Sequence, residues 1–146
     1  RWLIEGEVLG RELPPDTLIA TDSLGAFGWA SKLPIIDLLG LTDATVAHQP
    51  LERRVRPGHE KFAELSYLQK RKVALIRDGM GIVRQVYGNT NPPQLMLGGS
   101  RYYAMKDTPA IRKALTALRD AASGRSRAPG LDPRSKRKCS QSKNPE

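Results

Sequence analysis

Thr17-Leu18-Ile19-Ala20-Thr21 is an unbroken β-type run stopped by Asp22-Ser23, and Ile35-Ile36-Asp37-Leu38-Leu39 is a second, stopped by Gly40. Short apolar runs without alternation fit strands that are covered on both faces, the usual condition of a parallel sheet. Residues 25–31 between them leave room for little more than a turn of helix, expected to carry Phe27 and Trp29 inward. Upstream, Ile4, Val8 and Leu9 recur at helical spacing beside Trp2 and Leu13, and Pro14-Pro15 prevents continuation because the second proline forces the first out of the α region. Helix, strand, short helix, strand is the order this implies.

Downstream the alternation repeats. Phe62, Leu65 and Leu68 recur at intervals of three within 59–71, and a third β-type run, 73–77, closes at Asp78-Gly79. Residues 51–58 are basic and punctuated by Pro57-Gly58, which predicts a surface excursion. Glycines, asparagines and prolines break up 80–107, which predicts loops with one or two edge strands. Thr108 as N-cap, Pro109 at the first helical position and the stripe Ile111, Leu115, Leu118, Ala122 mark the clearest helix of the chain. The fold class expected is α/β: a small, mostly parallel sheet flanked by helices, forming one domain over residues 1–122.

Of the 146 residues, 39% are hydrophobic and 5% aromatic, enough for one modest core. No apolar run approaches the ~20 residues needed to span a bilayer. The chain opens on Arg1 with no signal-peptide pattern behind it, so it reads as an excised or processed piece. The net charge of +9 is unevenly placed: residues 123–146 hold seven Lys/Arg against Asp132 and Glu146, or +5, leaving +4 for 1–122. That segment is rich in Ser, Pro, Lys and Arg and has little to bury, so a disordered basic tail is expected. It could meet an anionic membrane surface. Nucleic acid is a poor fit, because too few aromatics are present to build a stacking platform. Cys139, the only cysteine, excludes an intrachain disulfide.

Ligands of α/β sheets gather outside the carboxyl ends of the strands. Asp22 and Asp43 fall at such ends. Asp37 is an acid inside an apolar run, where it must either accept backbone or Ser/Thr hydrogen bonds and fix the next turn, or face a ligand or cation. His48 and His59, with Asp37, Asp43 and Glu60, could form a carboxylate–imidazole site able to hold a divalent cation if 51–58 folds back, although their spacing matches no closed metal motif. No nucleophile elbow, P-loop or dinucleotide fingerprint occurs. The basic clusters 52–56 and 70–72 read as solvated faces, with an anion site as the alternative.

The ordered series 18–22, Gly25-Ala-Phe-Gly-Trp-Ala-Ser31, Ile36-Asp-Leu-Leu-Gly-Leu-Thr-Asp43 with Ala47-His48, and Gly58-His-Glu-Lys61 resembles the C-terminal extracytoplasmic domain of bacterial multi-spanning glycosyltransferases of the GT-C type, the arabinofuranosyltransferase-like group. The similarity spans about residues 1–105 and is strongest from 18 to 61. Where family members often carry Gly-Ala-Ile-Pro-Tyr-Tyr-Ser, this chain has Gly25 to Ser31 without the tyrosines. The resemblance implies an amino-terminal transmembrane part that holds the lipid-linked donor and the catalytic acid. It also implies a place on the extracytoplasmic face of the bacterial inner membrane, a glycan acceptor, and no complete chemistry or cofactor within this chain beyond that cation. Asp37, Asp43, His48, His59 and Glu60 fall on the matching positions. The reading from another class is a freestanding, non-enzymatic α/β binding module with a basic tail for anionic partners.

Overall fold

The computed structural model describes residues 1–51, 58–88 and 93–124. Residues 52–57, most of the expected excursion, and 125–146, most of the expected tail, lie outside the described residues. Among those described, the chain runs α1 (Trp2–Glu12), β1 (Ile19–Thr21), α2 (Gly25–Ser31), β2 (Ile35–Asp37), α3 (Ala44–Ala47), α4 (Leu65–Lys70), β3 (Leu75–Asp78), α5 (Ile82–Tyr87), β4 (Leu95–Leu97), β5 (Ser100–Ala104) and α6 (Pro109–Ala122).

The strands form one sheet in the order β2-β1-β3-β5-β4. The expected α/β class holds, with helices on both faces of this sheet. β1 pairs in parallel with β2 and with β3, whereas β5 runs antiparallel to both β3 and β4. The sheet is therefore mixed and not mostly parallel. The cause is local: Gly98 and Gly99, both at positive φ, turn β4 directly into β5 as a hairpin, and no crossover helix intervenes. Of the one or two edge strands expected in 80–107, β4 takes an edge, and β5 sits inside the sheet between β3 and β4.

Successive strand residues point to opposite faces. Ile19, Leu75 and Tyr102 join Val8, Leu9, Phe27, Ile111 and Leu118 in a core under α1, α2 and α6. Their neighbours Ala20, Ile76 and Tyr103 join Ile36, Leu38, Val46, Leu68 and Val83 in a second core under α3, α4 and α5. Complete burial of β1 and β3 explains why their sequences do not alternate.

α1 lies very close to α2. A Cβ built on Gly6 would stand 2.5 Å from Phe27 O and 2.9 Å from Ala30 Cβ, and one on Gly10 would collide with Ser31 O. The two glycines thus act as contact points for backbone. Trp29, expected to face inward, is 75% exposed. Phe27 and Ser31 share the buried face at i, i+4, and a residue two positions from Phe27 lies on the far side of the helix. Within 80–107 the structure adds α5, which was expected as loop. Thr108 caps α6 as expected, accepting from Ile111 N at 3.2 Å.

Candidate functional site

β1 and β3 are adjacent, yet the chain leaves β1 toward β2 on one side and returns to β3 on the other. Their carboxyl ends therefore flank the switch point at which doubly wound sheets bind ligands. Asp22, the first residue after β1, is buried there. Its Oδ2 accepts from Gly79 N at 2.8 Å and Met80 N at 2.6 Å, while Ser23 Oγ donates to its Oδ1 at 2.9 Å. The carboxylate stitches the β1 and β3 loops together. A Cβ on Gly79 would stand 3.3 Å from Asp22 Oδ1, so the absence of a side chain lets this approach occur.

Asp78, at the end of β3 and fully buried, repeats the device. Its Oδ1 accepts from Gly81 N (2.7 Å), Ile82 N (2.9 Å) and Met80 N (3.2 Å), and its Oδ2 accepts from Val83 N (3.1 Å). These are the otherwise orphaned amides at the start of α5, so the carboxylate starts that helix from upstream of the glycines.

Asp37, the last residue of β2, accepts from Leu39 N at 2.9 Å through Oδ1 and from Thr42 N at 3.0 Å through Oδ2. Of its two alternative roles, the geometry is that of the turn-fixing one. Asp43 caps α3, accepting from Val46 N at 3.1 Å and from the Tyr67 hydroxyl at 2.9 Å. Gly40 has a φ of +77°, and a Cβ there would stand 2.8 Å from Val46 Cγ1, so the turn from β2 into α3 requires glycine. His48 is exposed at the end of α3, its Nδ1 2.6 Å from Ala44 O. Residues 58–63 return to the same turn: Ala63 N donates to Leu38 O at 2.9 Å and Lys61 Nζ to Ala47 O. His59 and Glu60 are half-buried in that returning strand of chain. The structure thus gathers the segments that carry Asp37, Asp43, His48, His59 and Glu60 around the end of β2, and places Asp22 at the end of the neighbouring β1, engaged with the β3 loop. Among the described residues no three His, Cys, Asp or Glu side chains group in a way that could hold a metal ion.

Sequence reasoning missed the buried ion-pair network beside the switch point. Arg77, fully buried in β3, donates from Nε to Glu5 Oε2 at 2.8 Å and from Nη2 to Ser100 Oγ at 2.9 Å. Its Nη1 lies 3.7 Å from Asp22 Oδ1 and makes no hydrogen bond. The guanidinium carbon is 5.1 Å from the centre of the Phe27 ring and 5.7 Å from that of Trp2. Arg1 Nε donates to Glu5 Oε1 at 2.9 Å, and the Tyr102 hydroxyl to Glu5 Oε2 at 2.8 Å. Burial pushes the Glu5 carboxyl up, but the hydrogen bonds from Arg1, Tyr102 and Arg77 outweigh it and hold the group below the usual carboxylate range. Burial, then the Glu5 charge, push the Tyr102 phenol well above its ordinary value, so it stays protonated as a donor. The available signal was an arginine inside an apolar strand and a glutamate one turn before Leu9 on the inward face of α1.

Chemically, the carboxylates at these strand ends are committed to backbone amides and to one arginine. They organise loops. No curated protein and no solved structure matches the chain. Residues 3–127 match the model of a family described as a domain of unknown function (DUF8728), and the chain belongs to that family.

Proposed function

We propose that this chain is the extracytoplasmic C-terminal module of a multi-spanning membrane glycosyltransferase acting on cell-envelope glycans, with the catalytic part in an amino-terminal membrane portion. The observation that carries the reading is the turn 36–43: Asp37 holds both Leu39 N and Thr42 N, and residues 58–63 close on Leu38. Two of the pieces quoted for the glycosyltransferase resemblance, 36–43 with Ala47-His48 and 58–61, meet around that turn, while 25–31 packs against α1 in the other core. Commitment of Asp22, Asp37 and Asp78 to backbone amides supports a module that shapes or positions and leaves bond-making to another part.

The test is to follow the native protein that contains residues 1–146. The expected result is recovery with the inner membrane, digestion of this segment by protease added outside spheroplasts, and loss of lipid-linked sugar transfer when the segment is deleted. Recovery in the soluble cytoplasmic fraction would overturn the reading. It would favour the freestanding binding module instead, for which the supporting observation is the +5 charge of residues 123–146.

A further inference from the structure

We propose that a cleft at the opposite end of the sheet, the amino end, binds a phosphate-bearing small molecule or headgroup. The inference goes beyond the membrane reading and does not depend on it. The cleft encloses about 570 Å³, within the range of small-ligand sites. Three cations from two places in the sequence line it. Arg71 and Lys72 form the turn from α4 into β3. Lys106 follows β5, whose antiparallel pairing with β3 returns the chain to this end, where Met105 N and Lys106 N both donate to Ala74 O.

Among the described residues none of these cations makes an ion pair. Arg71 is held by Tyr67, to whose hydroxyl it donates at 2.6 Å and over whose ring it sits at 5.6 Å. Among the described residues Asp16 is the one acid that lines the cleft; nearby Asp107 is engaged by Arg112 at 3.0 Å, and Asp43 meets Arg71 through the Tyr67 hydroxyl, so positive charge at the cleft is in excess. The start of the 14-residue helix α6 adds its dipole, with Ala110 in the lining. Pro14, Leu18 and Pro34 give an apolar wall against which the rest of such a ligand would lie. Ammonium and guanidinium groups around a helix start suit a phosphate, whose oxygens accept from several donors at once.

Lys72 separates binding from folding. It sits at φ +59°, in the left-handed region, as the residue after the α4 cap: Lys72 N donates to Gln69 O and Val73 N to Leu68 O, the pairing that favours glycine at this position. Lys72→Gly should therefore fold at least as well as the parent.

The experiment titrates the 146-residue chain with inorganic phosphate, with glycerol 3-phosphate, and with phosphatidylglycerol against phosphatidylcholine vesicles, following backbone amide resonances and vesicle co-sedimentation. Saturable shifts at Lys72, Lys106 and Ala110 with the soluble probes support a free phosphate ester. Selective sedimentation with phosphatidylglycerol that Lys72→Gly and Lys106→Glu weaken supports a headgroup. In either case Lys72→Gly should weaken binding roughly three- to five-fold, and Lys106→Glu should weaken it further. Shifts confined to 125–146, or binding undiminished in the double variant, would overturn the proposal.

Discussion

The two ends of the sheet carry charge in opposite ways. At the carboxyl end Asp22, Asp37 and Asp78 are buried, and backbone amides donate to all three. At the amino end Arg71, Lys72 and Lys106 are exposed around an open cleft. A buried carboxylate that accepts from two to four amides has much of its acceptor capacity committed to the protein, and its energetic role is to fix the loops that supply those donors. An exposed cation pays little for desolvation and keeps its capacity for a ligand. At the carboxyl ends of these strands the acids thus serve the protein's own loops, and the cations at the amino end keep their capacity for a ligand.

The sharpest way to break that contrast is Asp78→Ala. It leaves the amides of Gly81, Ile82 and Val83 without their acceptor, at about 1–3 kcal/mol for each buried donor. The expected loss of about 3–6 kcal/mol approaches the whole stability of a small domain, and chemical denaturation should show the variant largely unfolded. A loss under about 1 kcal/mol would mean that this end is not held by its carboxylates.

Glu5→Gln tests the same end through pH. Removing the charge leaves Arg77 buried with a weaker partner, a loss of about 2–4 kcal/mol at neutral pH by comparison with broken buried pairs. The folded carboxyl titrates below the unfolded value of about 4.3. Its contribution is therefore present above that pH and is lost as pH falls through the lower, folded value. Melting temperatures between pH 7 and 2 should fall more steeply for the parent than for Glu5→Gln. Parallel curves would show that Glu5 does not carry the acid sensitivity.

Asp37 comes next, with two amide partners. Asp37→Leu orphans both, for an expected loss of about 2–4 kcal/mol. Asp37→Asn keeps the shape and one acceptor, for about 1 kcal/mol. If the carboxylate fixes the turn, divalent cations leave both melting curves unchanged. Stabilisation of the parent by a cation, absent in Asp37→Asn, would restore the ligand role to this residue.

How much of this was legible follows from the range of each interaction. β1 and β3 were readable because full burial leaves contiguous apolar runs, β2 because its apolar run is short and closed by Gly40, and α6 because its cap, proline and stripe are all local. Asp22 could be placed at a strand end for the same reason, whereas Asp37, expected inside its strand, ends it, and Asp43, expected at a strand end, caps α3. The Glu5–Arg77 pair joins residues 72 positions apart, and neither has a local feature that names its partner. α5 was hidden because its capping carboxylate, Asp78, lies before Gly79 and Gly81, which read as turn punctuation. The reversal at β5 is not legible because Gly98-Gly99 reads as a turn, and nothing local says that the apolar pieces on either side of it pair as a hairpin. At the amino end, the 70–72 cluster was visible as charge. That Lys106 joins it is a consequence of the antiparallel register alone.

The smallest effect gives the finest test of the contrast. Two lysines occupy left-handed backbone after a helix: Lys72 at φ +59°, following α4, and Lys32 at φ +54°, capping α2 with its amide donated to Gly28 O. A side chain in that region costs about 1–2 kcal/mol, while glycine gives back part of the gain through the extra freedom of the unfolded chain. Each Lys→Gly change should therefore stabilise by about 0.5–1 kcal/mol, a rise of about 2–6 °C in melting temperature for a domain of this size. The two sites are matched in backbone and in exposure, and they differ in surroundings, because Lys72 lines the amino-end cleft and Lys32 is not among the residues that line it. Lys32→Gly should raise the melting temperature and leave phosphate affinity as it was. Lys72→Gly should raise it by a similar amount and weaken the affinity. Equal affinities in the two variants would reduce the cleft's cations to solvated surface. Unequal affinities at equal stability would locate the binding energy in the side chain of Lys72, which would then be held in unfavourable backbone where glycine would serve the fold better.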